Sequence, residues 1–230
     1  DIVEEGDPLA GPLRDRLIAE LRTALETGTC TTTLVATERG CHVDIESMGA
    51  AQTTIPDAVP SSVPPSKSAF HFYDDAGTLR FVRVETVIAV GAKLTDPAKD
   101  ALPTKADDPR VWDQDGDGNP GVTVKVAGLA SGDIFAVQRQ RSVYYGTLSG
   151  AKLSGFVWDA SDQSVIGATN PILNQNISQV QDTDASKSTI VYAKVDAAYD
   201  CAKLVAEKAT LFKLAGGSPS PIEANDATSG

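Results

Sequence analysis

The stretch GVTVKVAG, residues 121–128, sets apolar and polar side chains in turn, Val122, Val124 and Val126 against Thr123 and Lys125. A period of two belongs to a strand with one face buried, because successive side chains leave the pleat on opposite sides. The same signature recurs from residue 69 onward. AFHFYDDAGTLRFVRVETVIAVGAKL is expected to form a hairpin turning at Asp75-Ala76-Gly77, with Val82, Val84, Ile88 and Val90 on one face of its second arm. DIFAVQRQRSVYYGTL, LSGFVWDASDQSVIGA and STIVYAKVDA continue the pattern between clusters of Gly, Asp, Asn and Ser. TCTTTLVATERGCHVDIESM adds two short strands about a turn at Glu38-Arg39-Gly40. The connections are hairpin-length and no long helix separates consecutive strands. The expected fold is therefore mainly β, an antiparallel barrel or sandwich of about nine strands.

Two segments carry helical spacing instead. In GPLRDRLIAELRTALETG, Leu13, Leu17, Ile18, Leu21 and Leu25 share a stripe, Pro12 suits the first turn and Gly28 the left-handed stop. An N-terminal helix within residues 1–28, packed on the domain, follows. Asp196 is placed to cap a C-terminal helix over residues 197–214, with Cys201, Leu204, Val205, Lys208 and Phe212 on one stripe. Residues 29–214 then form a single β domain. Within it, IPDAVPSSVPPSKS (residues 55–68) reads as an extended Pro-rich loop, and residues 215–230 as a small, polar tail.

Charge and cysteine usage restrict the setting. Acidic residues outnumber basic ones, 31 to 20, and the basic ones are scattered. This excludes an electrostatic footprint for nucleic acid and disfavours an anionic membrane surface. No run approaches the roughly 20 apolar residues that span a bilayer. The chain opens at Asp1 without initiator Met or apolar leader, as a processed exported protein, a trimmed lipoprotein or a cloned fragment would. Cys30, Cys41 and Cys201 lack zinc spacing. One disulfide with one thiol left over suits an oxidising, extracytoplasmic compartment. Cys30–Cys41 is the favoured pair because it closes a short loop; either cysteine reaching Cys201, or three reduced and buried thiols, are the alternatives.

The most specific chemistry lies in WDQDGDGNPG, residues 112–121. Asp113, Asp115 and Asp117 alternate, and Gly116 and Gly118 permit the curl that turns all three carboxylates inward. With the Asn119 carbonyl they offer four or five oxygens, as about six to eight at loose geometry suit Ca²⁺. Asp107, Asp108 and Asp133 are candidates for completing the shell. The competing expectation is an acidic turn whose carboxylates bond their own backbone.

DQDGDG resembles the first half of an EF-hand loop, although Val124 stands where the bidentate Glu belongs. It is more similar to the D-x-D-G-D-G-x-x-D calcium loops of integrin-like repeats, with Gly121 in place of the ninth-position carboxylate. Thrombospondin type 3 and dockerin loops resemble it to the same degree. The longer run VWDQDGDGNPGVTVKVAG, with GDIFAVQRQR after it, resembles exported β-rich proteins and lipoproteins of GC-rich bacteria such as the myxobacteria. That resemblance implies export and a β-rich fold, and brings no catalytic residues.

Other constellations are weaker. His42 and His71 fall in different strands, and no G-x-S-x-G elbow is present. Arg139 and Arg141 fall in phase with Phe135, Val137, Val143 and Tyr145, so they are candidates for clamping a carboxylate ligand or for pairing with Glu85 or Asp159. Trp112, Trp158, Tyr144 and Tyr145 line a mouth or lid the core. Glu85, Asp133, Asp159 and Asp162 are too commonplace here to signal glycoside hydrolysis. The expected function is a non-enzymatic exported or cell-surface protein, with a structural Ca²⁺ and a protein partner or self-assembly. A lipocalin-like carrier of a small ligand and, more weakly, a hydrolase are the alternatives.

Overall fold

The computed structural model describes residues 30–45, 51–176, 181–182 and 184–215. The expected N-terminal helix lies outside the described residues, as does all of the tail beyond residue 215. Nine strands form one antiparallel sheet curled into a half-barrel. They are β1 (Cys30–Glu38), β2 (Gln52–Thr54), β3 (Ser66–Asp75), β4 (Thr78–Val90), β5 (Val122–Ala127), β6 (Gly132–Ser149), β7 (Lys152–Asp159), β8 (Asp162–Ala168) and β9 (Thr189–Ala193). Among the described residues three α-helices accompany them: α1 (Ala58–Ser62), α2 (Cys201–Ala206) and α3 (Lys208–Ala215).

The 18-residue strand β6 is the spine. Its first half lies between β5 and β8, and its second half between β4 and β7. One half of the sheet therefore runs β1-β3-β4-β6-β7-β9 and the other β2-β5-β6-β8. The β3–β4 hairpin turns where the sequence places it, through Ala76 at φ 50° and Gly77 at φ 87°. Two consecutive left-handed residues make the turn whose twist matches that of the flanking strands.

The common face expected for the second arm of that hairpin is broken. Val82 stands opposite Tyr145, whereas Ile88 and Val90 stand opposite Gln140 and Gln138, with the register shifting between Arg83 and Thr86. Tyr145 and Gln140 lie an odd number of residues apart on β6, hence on opposite faces. A bulge at Val84 and Glu85 inserts the extra residue that exchanges the two sides.

Both faces of the sheet are consequently covered. In the hollow, Phe70, Phe72 and Phe81 pack with Ala36, Leu79, Tyr144, Leu148, Leu153, Ile190 and Tyr192, contributed by six strands. On that same face, α1 sets Val59 against Val90 and Val122. The outer face carries one cluster around Val82, Val143, Tyr73 and Trp158 and another around Val137 and Ile166. Leu94, Leu102 and Val111, from the connection between β4 and β5, cover the second of these. Burial of such side chains contributes about 1.5–3 kcal/mol each.

Several boundaries differ from those expected. Residues 41–45 form no strand. The Pro-rich loop contains the single turn α1, in which Val59 and Pro60 are buried. The C-terminal helix is broken at Glu207. Its cap is Asp200, whose carboxylate accepts from the Lys203 amide, while Asp196 caps a preceding turn through Ala198. The disulfide joins Cys41 to Cys201, not Cys30 to Cys41. β1 runs away from residue 41 in an extended strand, so the short sequence separation of Cys30 and Cys41 becomes a long distance. The chain fold instead brings the start of α2 to residue 41.

Candidate metal-binding loop

The aspartate loop hangs between β4 and β5 and is closed by backbone pairing. The Gly121 amide donates to the Trp112 carbonyl at 3.1 Å, and the Gln114 amide to the Gly121 carbonyl at 3.0 Å. Gln114 is buried and accepts from the Gly91 amide at 2.6 Å, which fixes the loop to the end of β4. Gly121, at φ 80°, has no room for a side chain, because a Cβ there would overlap the Ala136 carbonyl. This close approach explains the last glycine of the motif.

Asp113, Asp115 and Asp117 each present a carboxylate oxygen, all within 4.8 Å of one another. Two of the three are also engaged with the loop's own backbone. Asp113 accepts from the amides of Gly116, Asp117 and Gly118 at 2.8–3.1 Å. Asp117 accepts from both the backbone and side-chain amides of Asn119. The nearby Thr123 side chain and those amides hold Asp117 below its ordinary carboxylate range, although Thr123 Oγ1 makes no hydrogen bond of normal geometry. Asp115 differs: one oxygen accepts from the Thr123 amide at 3.0 Å, and Oδ1 is buried without a hydrogen-bond partner. Burial, together with the charges of Asp117 and Asp113, pushes Asp115 above its ordinary value. A buried, unpaired carboxylate oxygen beside two like charges is costly unless a cation joins it.

Of the remaining candidates, Asp108 is occupied by Arg110, which holds it down at about 2. Thr123, expected to point outward, is buried.

Arg139 and Arg141 do share the face of Phe135, Val137 and Val143, between the two outer apolar clusters. Each meets a carboxylate of the chain itself. Arg139 pairs with Asp162 at 2.9 Å and donates to the carbonyls of Pro97 and Ala98. Arg141 pairs with Glu85 at 2.6 Å. The bulge that displaces Val84 and Glu85 is what brings Glu85 to this face.

Two clusters escaped the sequence. Inside the hollow, Glu38 accepts from Ser68, from Arg83 Nε at 2.9 Å and from the Tyr192 hydroxyl at 2.8 Å. The Arg83 guanidinium lies 4.1 Å from the Tyr144 ring centroid, a cation–π contact. Burial opposes the charge on Glu38, but Ser68, Tyr192 and Arg83 outweigh it and hold the carboxyl below its ordinary value. Burial and Glu38 raise the Tyr192 hydroxyl far above the usual phenol range. The phase of Arg83 with the inward Phe81 was the available signal.

The second cluster centres on His42. Nδ1 lies 2.5 Å from Asp57 and Nε2 lies 2.9 Å from Asp44, while Lys208 Nζ approaches both Nε2, at 3.0 Å, and Asp44. His71 forms a cross-strand pair with Thr33.

No protein-family model, curated protein or solved structure matches the chain at a significant level.

Proposed function

We propose that this is a non-enzymatic protein of an extracytoplasmic compartment, working at the cell surface through contact with a protein partner or another copy, and that its aspartate loop takes one structural Ca²⁺. The observation that carries the metal assignment is Asp115 Oδ1, which is buried without a partner between two further carboxylates. Asp113, Asp115 and Asp117 supply the hard oxygens, and water completes a shell of the loose kind Ca²⁺ accepts and Mg²⁺ does not favour. The ion's role is to neutralise the loop and fix the junction of β4 and β5 through Gln114. A site of three carboxylates with no bidentate Glu belongs at the weak end, about 10⁻⁴–10⁻³ M, which suits calcium-rich extracellular fluid.

Three observations support the wider reading. The Cys41–Cys201 disulfide fits an oxidising compartment. The hollow of the sheet is filled by aromatic side chains, Phe81 completely buried among them, whereas a carrier of the lipocalin kind needs that space for its ligand. An open cavity of about 380 Å³ lies instead beside the end of β7, lined by Gln138, Asp159, Ser161 and Gln181. Among the described residues β1 is an edge strand, and it exposes Leu34 on one face and Val35 on the other, 55% and 68%.

The test is calorimetry and thermal melting of the full chain after dialysis against a chelator. Ca²⁺ at 1 mM is expected to release or absorb heat with one-site stoichiometry and to stabilise the fold by about 0.4–1.4 kcal/mol. Asp115→Asn is expected to abolish both effects. Absence of heat and of any shift in the melting temperature would overturn the metal assignment.

A further inference from the structure

No side chain of residues 201–212 is fully buried, and Phe212 is 52% exposed. α3 lies beside β9, which among the described residues pairs only with β7. Two fasteners of the helix pair lie at one place. Cys201, the first residue of α2, is bonded to Cys41, and Lys208, the first residue of α3, reaches the cluster built on the neighbouring His42. Three segments far apart in sequence, residues 40–44, Asp57 and the two helices, meet within this one knot.

We propose that Cys41–Cys201 and the His42 cluster form a two-part clasp on the C-terminal helices, its covalent half opened by a dithiol and its ionic half governed by the proton on His42. In the covalent half, a dithiol supplies two electrons and two protons. Cys41 and Cys201 become thiols, and the dithiol closes to its own disulfide. In the ionic half, the charged and titratable groups facing the imidazole are Asp44 from its own segment, Asp57 from the turn before α1, and Lys208 from α3. With both ring nitrogens protonated, Nδ1–H donates to Asp57 and Nε2–H to Asp44, and the imidazolium stands 3.0 Å from the Lys208 ammonium, a like charge that competes with it for Asp44. Loss of the proton leaves Nδ1–H on Asp57, but Nε2 then accepts from Lys208, and Asp44 keeps one cation in place of two.

The direction of the pH dependence follows. Partial burial disfavours the imidazolium, yet Asp57 and Asp44 raise His42 above its ordinary value. Lys208, which the helices contribute, opposes the imidazolium, so His42 holds its proton less firmly with the helices docked than with them released, and the ionic half tightens as pH rises through the His42 value. With the disulfide intact, the helices stay tethered whichever state His42 is in. The two fasteners act in parallel, so neither alone reports the other.

Amide hydrogen exchange of residues 202–215 in the full chain tests this, with amides of β6 as internal reference and rates corrected for intrinsic pH dependence. Oxidised protein is expected to protect the helices almost uniformly from pH 5.5 to 8.5. After reduction with a dithiol, protection is expected to survive at pH 8.5 and to fall several-fold by pH 5.5, with β6 unaffected. His42→Gln in reduced protein is expected to remove that dependence and leave the helices equally protected at both pH values; should this variant fail to fold, Asp57→Asn is expected to shift the loss of protection to lower pH. Protection that is unchanged by reduction, lost equally at every pH on reduction, or still pH-dependent in His42→Gln would overturn the proposal.

Discussion

Glu38 keeps its charge inside the curled sheet because Ser68, Tyr192 and the Arg83 guanidinium replace its water. Arg83 is only 5% exposed, so the two ions depend on each other. Arg83→Met is expected to cost about 3 kcal/mol by urea unfolding, the low end for a broken buried pair, because it leaves a partly buried carboxylate without its cation. Adding Glu38→Leu is expected to restore much of that loss, since removing both partners removes the penalty. The folded carboxyl lies below its ordinary value, so its contribution is present above about pH 4.5 and disappears as pH falls through the folded value. Glu38→Gln is expected to flatten that part of the acid-unfolding profile. The pair was illegible in the sequence for a physical reason. Glu38 and Arg83 are 45 residues apart and meet across the intervening strand β3, so no local spacing reports them. Asp113, Asp115 and Asp117 were legible because their convergence needs only the backbone of one ten-residue loop.

Strands and turns were easiest to read where the information is local. The hairpin at Ala76-Gly77 follows from composition and alternation, and its dihedrals identify a remaining flaw. Ala76 at φ 50° carries a Cβ in a region that favours Gly and Asn. Ala76→Asn is expected to raise stability by about 1 kcal/mol, seen as a higher urea midpoint at unchanged slope. The bulge at Val84 and Glu85 was not legible, because an extra residue in one strand exists only relative to its partner. It turns Val82 to one side and Ile88 and Val90 to the other, and it delivers Glu85 to Arg141. Gly146 and Gly155 make the same point: they face each other on β6 and β7. A Cβ on Gly155 would enter the Tyr145 carbonyl, so the two backbones approach more closely there than any side chain permits. Gly155→Ala is expected to destabilise by about 1–3 kcal/mol, measured by the same unfolding experiment.

At the scale of the molecule, alternation was enough to imply an antiparallel, mainly β fold, since hairpin-length connections leave few other ways to bury one face of each strand. Chain closure was not implied. Loop length alone favoured Cys30–Cys41, but a strand carries its ends apart, and the bond that forms spans 160 residues. So long a cross-link acts chiefly on the unfolded ensemble, where it forbids the most extended conformations. Replacing both cysteines, Cys41→Ser with Cys201→Ser, is therefore expected to cost on the order of 5 kcal/mol in the chain-entropy limit. The denaturant slope separates the two places this loss can reside. An uncross-linked unfolded chain exposes more surface, so the urea midpoint should fall while the slope steepens. A lower midpoint at constant slope would instead assign the bond's contribution to the folded side, where it holds helices that have no buried side chain of their own between residues 201 and 212.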